Sequence, residues 1–412
     1  MSLELPGRHA PHPFFGVDDD CLSIDGRSLI EIAAQVGRTP FYVYARRYIS
    51  DRVDQLRGTL PHEMHVHYAV KANPMPAVVA HVVELVDGID VASGREMQIA
   101  LDAGAHPSKV SIAGPGKTDA ELAKAVAAGI TINVESEREI AILGEIGRHS
   151  PKRPKLAVRI NPDFELKASG MKMGGGPKQF GIDAEQVPGV LAEIGRLPVE
   201  FLGFHIFTGS QNLRAEAIME AQRKSIELAT ELARFAPSPP KMLNIGGGFG
   251  IPYFPGESAL DVGPVAEGLH QLVARCKRDL PGTELILELG RYLVGEAGLY
   301  VCKVIDRKVS RGQTFLVTDG GLHHHLAASG NFGQVLRKNY PVLIGNRVRG
   351  EERELATIVG PLCTPLDMLA DRMEMAKASA GDLVVVLQSG AYGLTASPLA
   401  FLSHPAPAEV LI

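Results

Sequence analysis

One lysine with catalytic potential follows an aliphatic segment early in the chain. In Tyr68-Ala69-Val70-Lys71-Ala72-Asn73, Lys71 comes directly after a predicted strand. If that strand belongs to a parallel barrel, its C-terminal end lies where barrel enzymes keep their active-site groups. Most lysines after a strand are solvated surface groups, so catalysis by Lys71 needs support from other segments.

A run of glycines supplies the first support. Asn244-Ile245-Gly246-Gly247-Gly248-Phe249-Gly250 follows another predicted strand, and no side chains obstruct the N–H groups of its glycines. Such a loop can hold a phosphate through its backbone amides, although glycine runs are more often plain turns. It is not a P-loop, because no Gly-Lys-Ser/Thr follows, nor a dinucleotide-binding loop, because the spacing differs.

An acid and a base lie close together at the end of the last predicted barrel strand, in Glu288-Leu289-Gly290-Arg291. An exposed ion pair there would stabilise the protein little. Beside a pyridine ring, however, a carboxylate that faces the ring nitrogen would keep it protonated and strengthen the ring as an electron sink. Further along the chain, Cys363 and Tyr392 are candidates for the same site, although each could equally be a packed core residue.

The elements that must position these residues alternate between short aliphatic strands and longer stretches of helical periodicity, a pattern typical of βα units. Eight strands between Arg46 and Leu289 suit a closed (β/α)8 barrel. The predicted strands are His65–Ala69, Gly88–Ala92, Val110–Ala113, Ile130–Val134, Leu156–Ile160, Phe201–Ile206, Met242–Ile245 and Glu284–Glu288. The predicted helices include Gly94–Asp102, Asp119–Ala128, Ser136–Ile146, Arg214–Phe235 and Gly263–Asp279.

After Gly290 the pattern changes to apolar strands with few helical stretches, which predicts a mostly β domain. These strands are Tyr300–Lys308, Thr314–Thr318, Glu354–Val359 and Asp382–Leu387. The length of 412 residues fits two domains. We therefore expect an α/β chain with an N-terminal segment (1–45) that packs with the β domain, a barrel (46–290) and a C-terminal β domain (291–412).

Composition excludes several classes of function. The formal net charge of −5, without a run of Lys or Arg, argues against nucleic acid as a partner. We see no apolar stretch of signal-peptide or membrane-spanning length, so we expect a cytoplasmic protein that does not bind membranes. The consecutive residues His323, His324 and His325 point in different directions and lack a carboxylate at ligand spacing, so we predict no metal site.

Taken together and in this order, the segments resemble the fold-type III pyridoxal-phosphate decarboxylases, the group of diaminopimelate, ornithine and arginine decarboxylases. The resemblance covers about Thr39 to Ala396. It also rests on Thr39–Tyr44, Asp90–Gly94 with Glu96, Arg159–Pro162, Lys178–Gly181 and Gly209–Gln211. It implies an alanine-racemase-like barrel with a β C-terminal domain and pyridoxal 5′-phosphate as the cofactor.

The resemblance also implies the reaction and the roles of single residues. The chain would be a carboxy-lyase that releases carbon dioxide from the α-carbon of an amino acid, with Lys71 as the Schiff-base lysine and Glu288 opposite the ring nitrogen. Cys363 would protonate the α-carbon from the partner subunit of a homodimer with shared active sites. The implied cofactor contacts are Lys71, Asp90, Arg159, His205, Phe207, Ser210, Gly247, Gly248, Glu288, Arg291 and Tyr392. The implied substrate contacts are Arg291, Cys363, Thr364 and Tyr392.

The residues that would recognise the distal end of the substrate depart from the family pattern. Diaminopimelate decarboxylases have an arginine where this chain has Ala327, a few residues after Asp319-Gly320-Gly321. After the cysteine they have Glu, and ornithine decarboxylases have Asp, whereas this chain has Thr364. An unpaired buried charge costs on the order of several kcal/mol, so a free substrate with charged distal groups fits poorly. The pattern is similar to a subgroup that includes exosortase-associated decarboxylases and those acting on carrier-tethered aminoacyl groups.

A second departure concerns the face of the cofactor ring. The position that usually holds a ring-stacking histidine corresponds to Phe207, with His205 two residues earlier. Either aromatic residue could face the cofactor.

Three other functions stay open. An amino-acid racemase shares the barrel, the lysine and the cofactor, but that family presents an arginine to the ring nitrogen, and Glu288 argues against it. A non-catalytic pyridoxal-phosphate-binding protein of the one-domain kind would lack a β domain with Cys363 and Tyr392. A regulatory relative that inhibits a decarboxylase would have no need for both Lys71 and Cys363.

Overall fold

The computed structural model describes residues 9–12, 14–165 and 171–412, with the backbone alone for residues 171 and 172. Part of the predicted N-terminal segment (1–45) therefore lies outside the described residues. The chain forms two compact units. The first unit consists of Met1–Asp51, Ile251–Ala259 and Leu293–Ile412, and the second of Arg52–Gly250 and Leu260–Tyr292. The predicted domain boundaries at residues 45 and 290 stay predictions.

Eight parallel strands close into a barrel in the second unit, as the sequence predicted. In chain order they are β1 (Met64–Ala69), β2 (Gly88–Val91), β3 (Val110–Ile112), β4 (Thr131–Val134), β5 (Lys155–Asn161), β6 (Glu200–His205), β7 (Met242–Gly247) and β8 (Glu284–Leu289). Each strand pairs with the next, and β8 pairs with β1, which completes the ring. Because all strands are parallel, their C-terminal ends meet at one rim.

Helices connect the barrel strands, and polar side chains mark where several of them begin. Ser93 and Ser136 each accept a hydrogen bond from a backbone N–H in the first helical turn, and Thr118 forms a capping box with Glu121. The helices of the second unit, with two that cross its boundary, are Arg46–Thr59, Pro76–Val83, Gly94–Asp102, Asp119–Ala128, Glu137–His149, Val187–Ile194, Ala215–Leu232, Val262–Asp279 and Arg291–Val294.

The first unit is mostly β, as predicted, and its described residues include an α-helix at Leu29–Val36. Its strands are Gly16–Asp18, Cys21–Ile24, Arg27–Ser28, Phe41–Tyr44, Gly298–Ser310, Gln313–Thr318, Val342–Ile344, Arg353–Val359, Met368–Ala376, Leu383–Val386 and Ala408–Leu411. Phe41–Tyr44 pairs antiparallel with Gly298–Ser310 and parallel with Ala408–Leu411. The N-terminal part of the chain therefore supplies an inner strand of this sheet.

The passage of β6 beside β7 depends on a glycine. Gly203 has φ +149°, and a Cβ at this position would overlap the carbonyl oxygen of Met242 in β7. The register between β5 and β6 also shifts between Phe201 and Gly203. A side chain here would push β6 away from its neighbour, just before the strand reaches the rim.

Gly203→Ala should lower the free energy of unfolding by about 1–3 kcal/mol, because the added methyl group forces a backbone shift. Gly189 is a matched control, because it lies in the helix Val187–Ile194 with open space at its Cβ position. Gly189→Ala should stabilise the protein by up to about 1 kcal/mol through helix propensity. Chemical unfolding of both variants measures the difference, and equal effects would contradict this account.

Candidate active site

An amine and a buried carboxylate meet at the C-terminal rim of the barrel. Lys71 lies in the short 3-10 turn Val70–Ala72 that follows β1, and its Nζ is 3.7 Å from Oε1 of Glu288 in β8. The side chain of Lys71 is 40% exposed, whereas that of Glu288 is 6% exposed. The pairing of β8 with β1 brings them together, since Leu289 lies opposite Tyr68.

The second carboxylate oxygen of Glu288 has its own partners inside the barrel. Oε2 lies 3.1 Å from Nε2 of His205 and accepts a hydrogen bond from Nδ2 of Asn244 at 3.2 Å. Burial raises the pKa of Glu288, but the hydrogen bond from His205 and the charges of Lys71, His205 and Arg159 outweigh it, and the pKa lies well below its usual range. Glu288 is therefore ionised at neutral pH.

Phe207, and not His205, is the aromatic residue beside the lysine. Nζ of Lys71 lies 5.3 Å from the centroid of the Phe207 ring. The ring of His205 is turned 74° from that of Phe207 and lies beside Glu288 instead. Phe207 thus lies beside Lys71 and His205 beside Glu288, an arrangement that the sequence left open.

Asp90 belongs to a chain of buried polar residues across four neighbouring barrel strands. Its Oδ1 accepts a hydrogen bond from Oγ of Ser111 at 2.6 Å and lies 3.3 Å from Nδ1 of His67. Asn133 in turn donates to Oγ of Ser111 at 2.9 Å. Sequence reasoning found Asp90 and missed the other three, whose only signal is a polar residue at an inward position of a barrel strand.

Arg159 is held by a buried ionic network that the sequence analysis missed. Nη1 of Arg159 lies 2.8 Å from Oε1 of Glu135. Burial raises the pKa of Glu135, but the charges of Arg159 and Lys117 outweigh burial and lower the pKa below its usual value. Nζ of Lys117 lies 3.1 Å from Oε1 of Glu139, and its side chain is 2% exposed. Glu135 also accepts hydrogen bonds from the backbone N–H groups of Gly114 and Gly181. These contacts join the loops that follow β3, β4 and β5.

The glycine loop at the end of β7 has the backbone geometry of a phosphate site. Gly246 and Gly248 have φ +68° and +77°, and a Cβ on Gly247 would overlap the carbonyl oxygen of Glu288. The N–H of Asn212 donates to the carbonyl of Gly248 at 2.9 Å, so the segment that contains Ser210 runs beside this loop. Bare backbone amides in such a bend bind anions.

Arg291 begins the helix Arg291–Val294, directly after β8 in the second unit. The other predicted site residues, Cys363, Thr364 and Tyr392, lie in the first unit, where a buried aspartate shapes the loop that contains Cys363. Asp367 is 2% exposed, and its carboxylate accepts hydrogen bonds from the N–H groups of Leu322 and Leu362 at 2.6 and 2.8 Å. Cys363 is exposed and Ala327 is buried. Thr364 and Tyr392, the latter with φ +53°, also belong to this unit.

The three consecutive histidines lie in the first unit, where the ring centroids of His323 and His324 are 3.7 Å apart. Nε2 of His324 lies 2.9 Å from the carbonyl of Pro405, and Nε2 of His325 lies 2.9 Å from Oγ of Ser389. Burial lowers the pKa of His323 and of His325 to about 3, so both rings are neutral at pH 7. Within the described ranges no group of three or more His, Cys, Asp or Glu side chains could hold a metal ion.

The chain belongs to the pyridoxal-dependent decarboxylases: the family model for their pyridoxal-binding domain matches residues 46–295. It is 39% identical to L-glutamyl-[BtrI acyl-carrier protein] decarboxylase of Niallia circulans, over 92% of this chain and 91% of that protein. It is 33% identical to a diaminopimelate decarboxylase of Aquifex aeolicus, over 97% and 93% of the two chains. A solved diaminopimelate decarboxylase from M. jannaschii superposes with a TM-score of 0.88 at 26% identity, over 97% and 93%.

These relatives make the chain a carboxy-lyase that depends on pyridoxal phosphate, and its barrel rim fits that group. An ionised carboxylate can face a ring nitrogen, an amine lies within 4 Å of it, and a glycine backbone can accept a phosphate. The racemase alternative is not favoured. No helix in the described part of the chain is long and apolar enough to cross a bilayer.

Replacing Glu288 by Gln should remove part of the acid sensitivity of the protein. Because the pKa of Glu288 is depressed on folding, its charge stabilises the folded state above the unfolded pKa of about 4.3, and this contribution is lost as the pH falls further. The stability difference between wild type and Glu288→Gln should therefore shrink from pH 6 to pH 3 in urea unfolding. Glu284→Gln, at the exposed start of the same strand, should keep the wild-type pH dependence.

Proposed function

We propose that this chain removes the α-carboxyl group of an amino acid that a carrier protein presents as a covalent conjugate. The observation that carries the proposal is the contact of Lys71 Nζ with Glu288 Oε1 at 3.7 Å, on the rim of a decarboxylase barrel. When bound, pyridoxal phosphate supplies the electron sink for the bond that loses carbon dioxide. The proposed substrate differs from that of the diaminopimelate decarboxylases at its distal end, which is attached to the carrier instead of being free.

In this proposal each residue of the rim has a defined task. Lys71 holds the cofactor covalently, and Glu288 keeps a proton on the ring nitrogen while His205 and Asn244 hold its other oxygen. Phe207 covers one face of the ring. The groups proposed to bind the phosphate or the edges of the pocket are Asp90, Arg159, Ser210, Gly247, Gly248, Arg291 and Tyr392.

The proposed substrate follows from two side chains that carry no charge. By the family resemblance, Ala327 and Thr364 occupy the positions at which diaminopimelate decarboxylases carry an arginine and a glutamate. Ala327 is 6% exposed, so a charged group buried against it would lack a partner. A conjugated amino acid has no free distal carboxylate or amine to neutralise. The name of the Niallia circulans relative describes such a substrate, a glutamyl group on a carrier protein.

We also propose a homodimer with shared active sites. Cys363 is exposed on its loop, as expected of a loop that reaches another subunit. In this arrangement Cys363 of one subunit would protonate the α-carbon of the substrate in the active site that contains the other subunit's Lys71. The cytoplasmic location stays a prediction.

The holoenzyme should release carbon dioxide from L-glutamate loaded on an acyl-carrier protein through its side-chain carboxyl group, and should not turn over free meso-diaminopimelate, lysine or ornithine at comparable rates. Borohydride treatment should fix the cofactor on Lys71, as peptide mass spectrometry would detect. Lys71→Ala should lose both the adduct and the activity, whereas Lys124→Arg on the exposed face of a helix should keep both. An ordinary Michaelis constant for free diaminopimelate would contradict the proposed substrate.

Cys363→Ala should lower turnover by about 100-fold, the usual contribution of a general acid, or divert the products toward transamination. Both rates can be followed, turnover by carbon dioxide release and transamination by the aldehyde that it forms from the decarboxylated substrate. Cys21→Ala, a buried cysteine of the same unit, is the matched control and should leave both unchanged. An unaltered rate and product ratio in Cys363→Ala would remove this residue from the reaction.

A further inference from the structure

Four large apolar side chains of the first unit are exposed around one loop. Phe332, Val335 and Leu336 are 40%, 99% and 78% exposed, and Leu366 on the neighbouring loop is 59% exposed. Clustered exposed apolar side chains of this size mark interaction sites more often than isolated ones do. These four residues, with Arg337 and Lys338, are called the Val335 surface below.

The loop that carries the Val335 surface is held by many polar contacts. Arg337 donates from Nη1 to the carbonyl of Ser329 at 2.8 Å and from Nη2 to the carbonyl of Met368 at 2.7 Å. The N–H of Lys338 donates to Oε1 of Gln334 at 2.8 Å. The exposure of Val335 and Leu336 therefore belongs to a braced loop conformation, whose polar groups are bonded while its apolar side chains face outward.

This surface adjoins both positions at which substrate recognition departs from the family. Nε2 of Gln334 donates to the carbonyl of Ala327 at 3.5 Å. On the other loop, the N–H of Leu366 donates to Oγ1 of Thr364 at 3.3 Å. Asn331 connects the two loops through a hydrogen bond to the carbonyl of Leu366 at 3.4 Å. A substrate that ends near Ala327 and Thr364 would leave its attached carrier close to Val335.

The exposed charge of the Val335 surface is positive. The segment 329–339 contains Arg337 and Lys338 and no acidic residue. Asp367 is buried and its carboxylate is used by two backbone N–H groups. Asp371 acts electrostatically on Arg337, but it also lies 3.8 Å from Arg372, so this pair adds no net negative charge.

We propose that the Val335 surface binds the folded body of an acidic carrier protein that delivers the tethered substrate, an inference that rests on the proposed function. An apolar centre with a basic rim is complementary to a surface that presents apolar side chains among carboxylates. The apolar contact supplies affinity, and the two cations steer the carrier into register.

A second copy of this chain is a poorer occupant. In a two-fold contact centred on this surface, Arg337 and Lys338 of each copy would face the same two cations of the other. Like charges that meet at an interface are unfavourable, and the surface contributes no exposed acid to offset them. An acidic partner avoids this repulsion.

The test compares two substrates on the holoenzyme. One is an acyl-carrier protein loaded with L-glutamate, and the other is the same glutamyl thioester on pantetheine alone. Val335→Glu and Lys338→Glu should lower kcat/KM for the carrier-bound substrate at least ~10-fold, because each adds a like charge against an acidic carrier. The pantetheine thioester should change less than about 2-fold, and only the carrier-bound substrate should be sensitive to salt.

Matched controls lie on a strand of the same unit. Val309 is 59% exposed and Lys308 precedes it, so Val309→Glu and Lys308→Glu repeat the two changes away from the Val335 surface. They should leave both substrates unaffected.

Four outcomes would overturn the proposal. Equal losses for both substrates would mean that the loop shapes the reaction site itself. A change in oligomeric state by light scattering in Val335→Glu would mean that the surface joins two copies of the chain. Unchanged carrier kinetics in both variants would refute docking while the proposed function stands, whereas no wild-type turnover of the carrier-bound substrate would remove both.

Discussion

The site depends on one ionised carboxylate that is buried near the top of a barrel. Burying a charge is costly unless it is paired and hydrogen-bonded, and Glu288 satisfies this condition only with groups from other strands. Lys71 follows β1, His205 ends β6 and Asn244 lies in β7. Three pairings around the ring, β6 with β7, β7 with β8 and β8 with β1, must therefore form before the carboxylate is compensated. Closure of the barrel therefore buries the carboxylate and supplies its partners together.

The parts of this arrangement that sequence reasoning found are those with a local signal. A lysine just after one aliphatic strand and an acid at the end of another are visible in short windows, and parallel strands bring such ends to one rim. His67, Lys117, Glu135 and Glu139 have no such signal. Each is an ordinary polar residue in its own segment, and it becomes part of the site only because distant strands pair beside it.

The same reasoning explains which elements of the fold were missed. The helix Pro76–Val83 contains four valines, and Val187–Ile194 contains two valines and an isoleucine. β-Branched residues favour strands in a local reading. In the first unit, Met368–Ala376 alternates Met and Ala with Asp, Arg and Glu, so it lacks the continuous apolar run that marked its neighbours. Tertiary packing, and not local propensity, decides these three segments.

The charged residues near Lys71 and the uncharged residues proposed to meet the substrate lie in different units. In the barrel, Lys71 is paired with Glu288, and Arg159 with Glu135. In the proposed function, the residues that would meet the distal end of the substrate lie in the first unit. There the corresponding positions are Ala327 and Thr364, which offer a methyl group and a hydroxyl. Under the proposed function, Lys71 and Glu288 of the barrel would act at the α-carbon, whereas the preference for an uncharged distal end would come from Ala327 and Thr364 in the β unit.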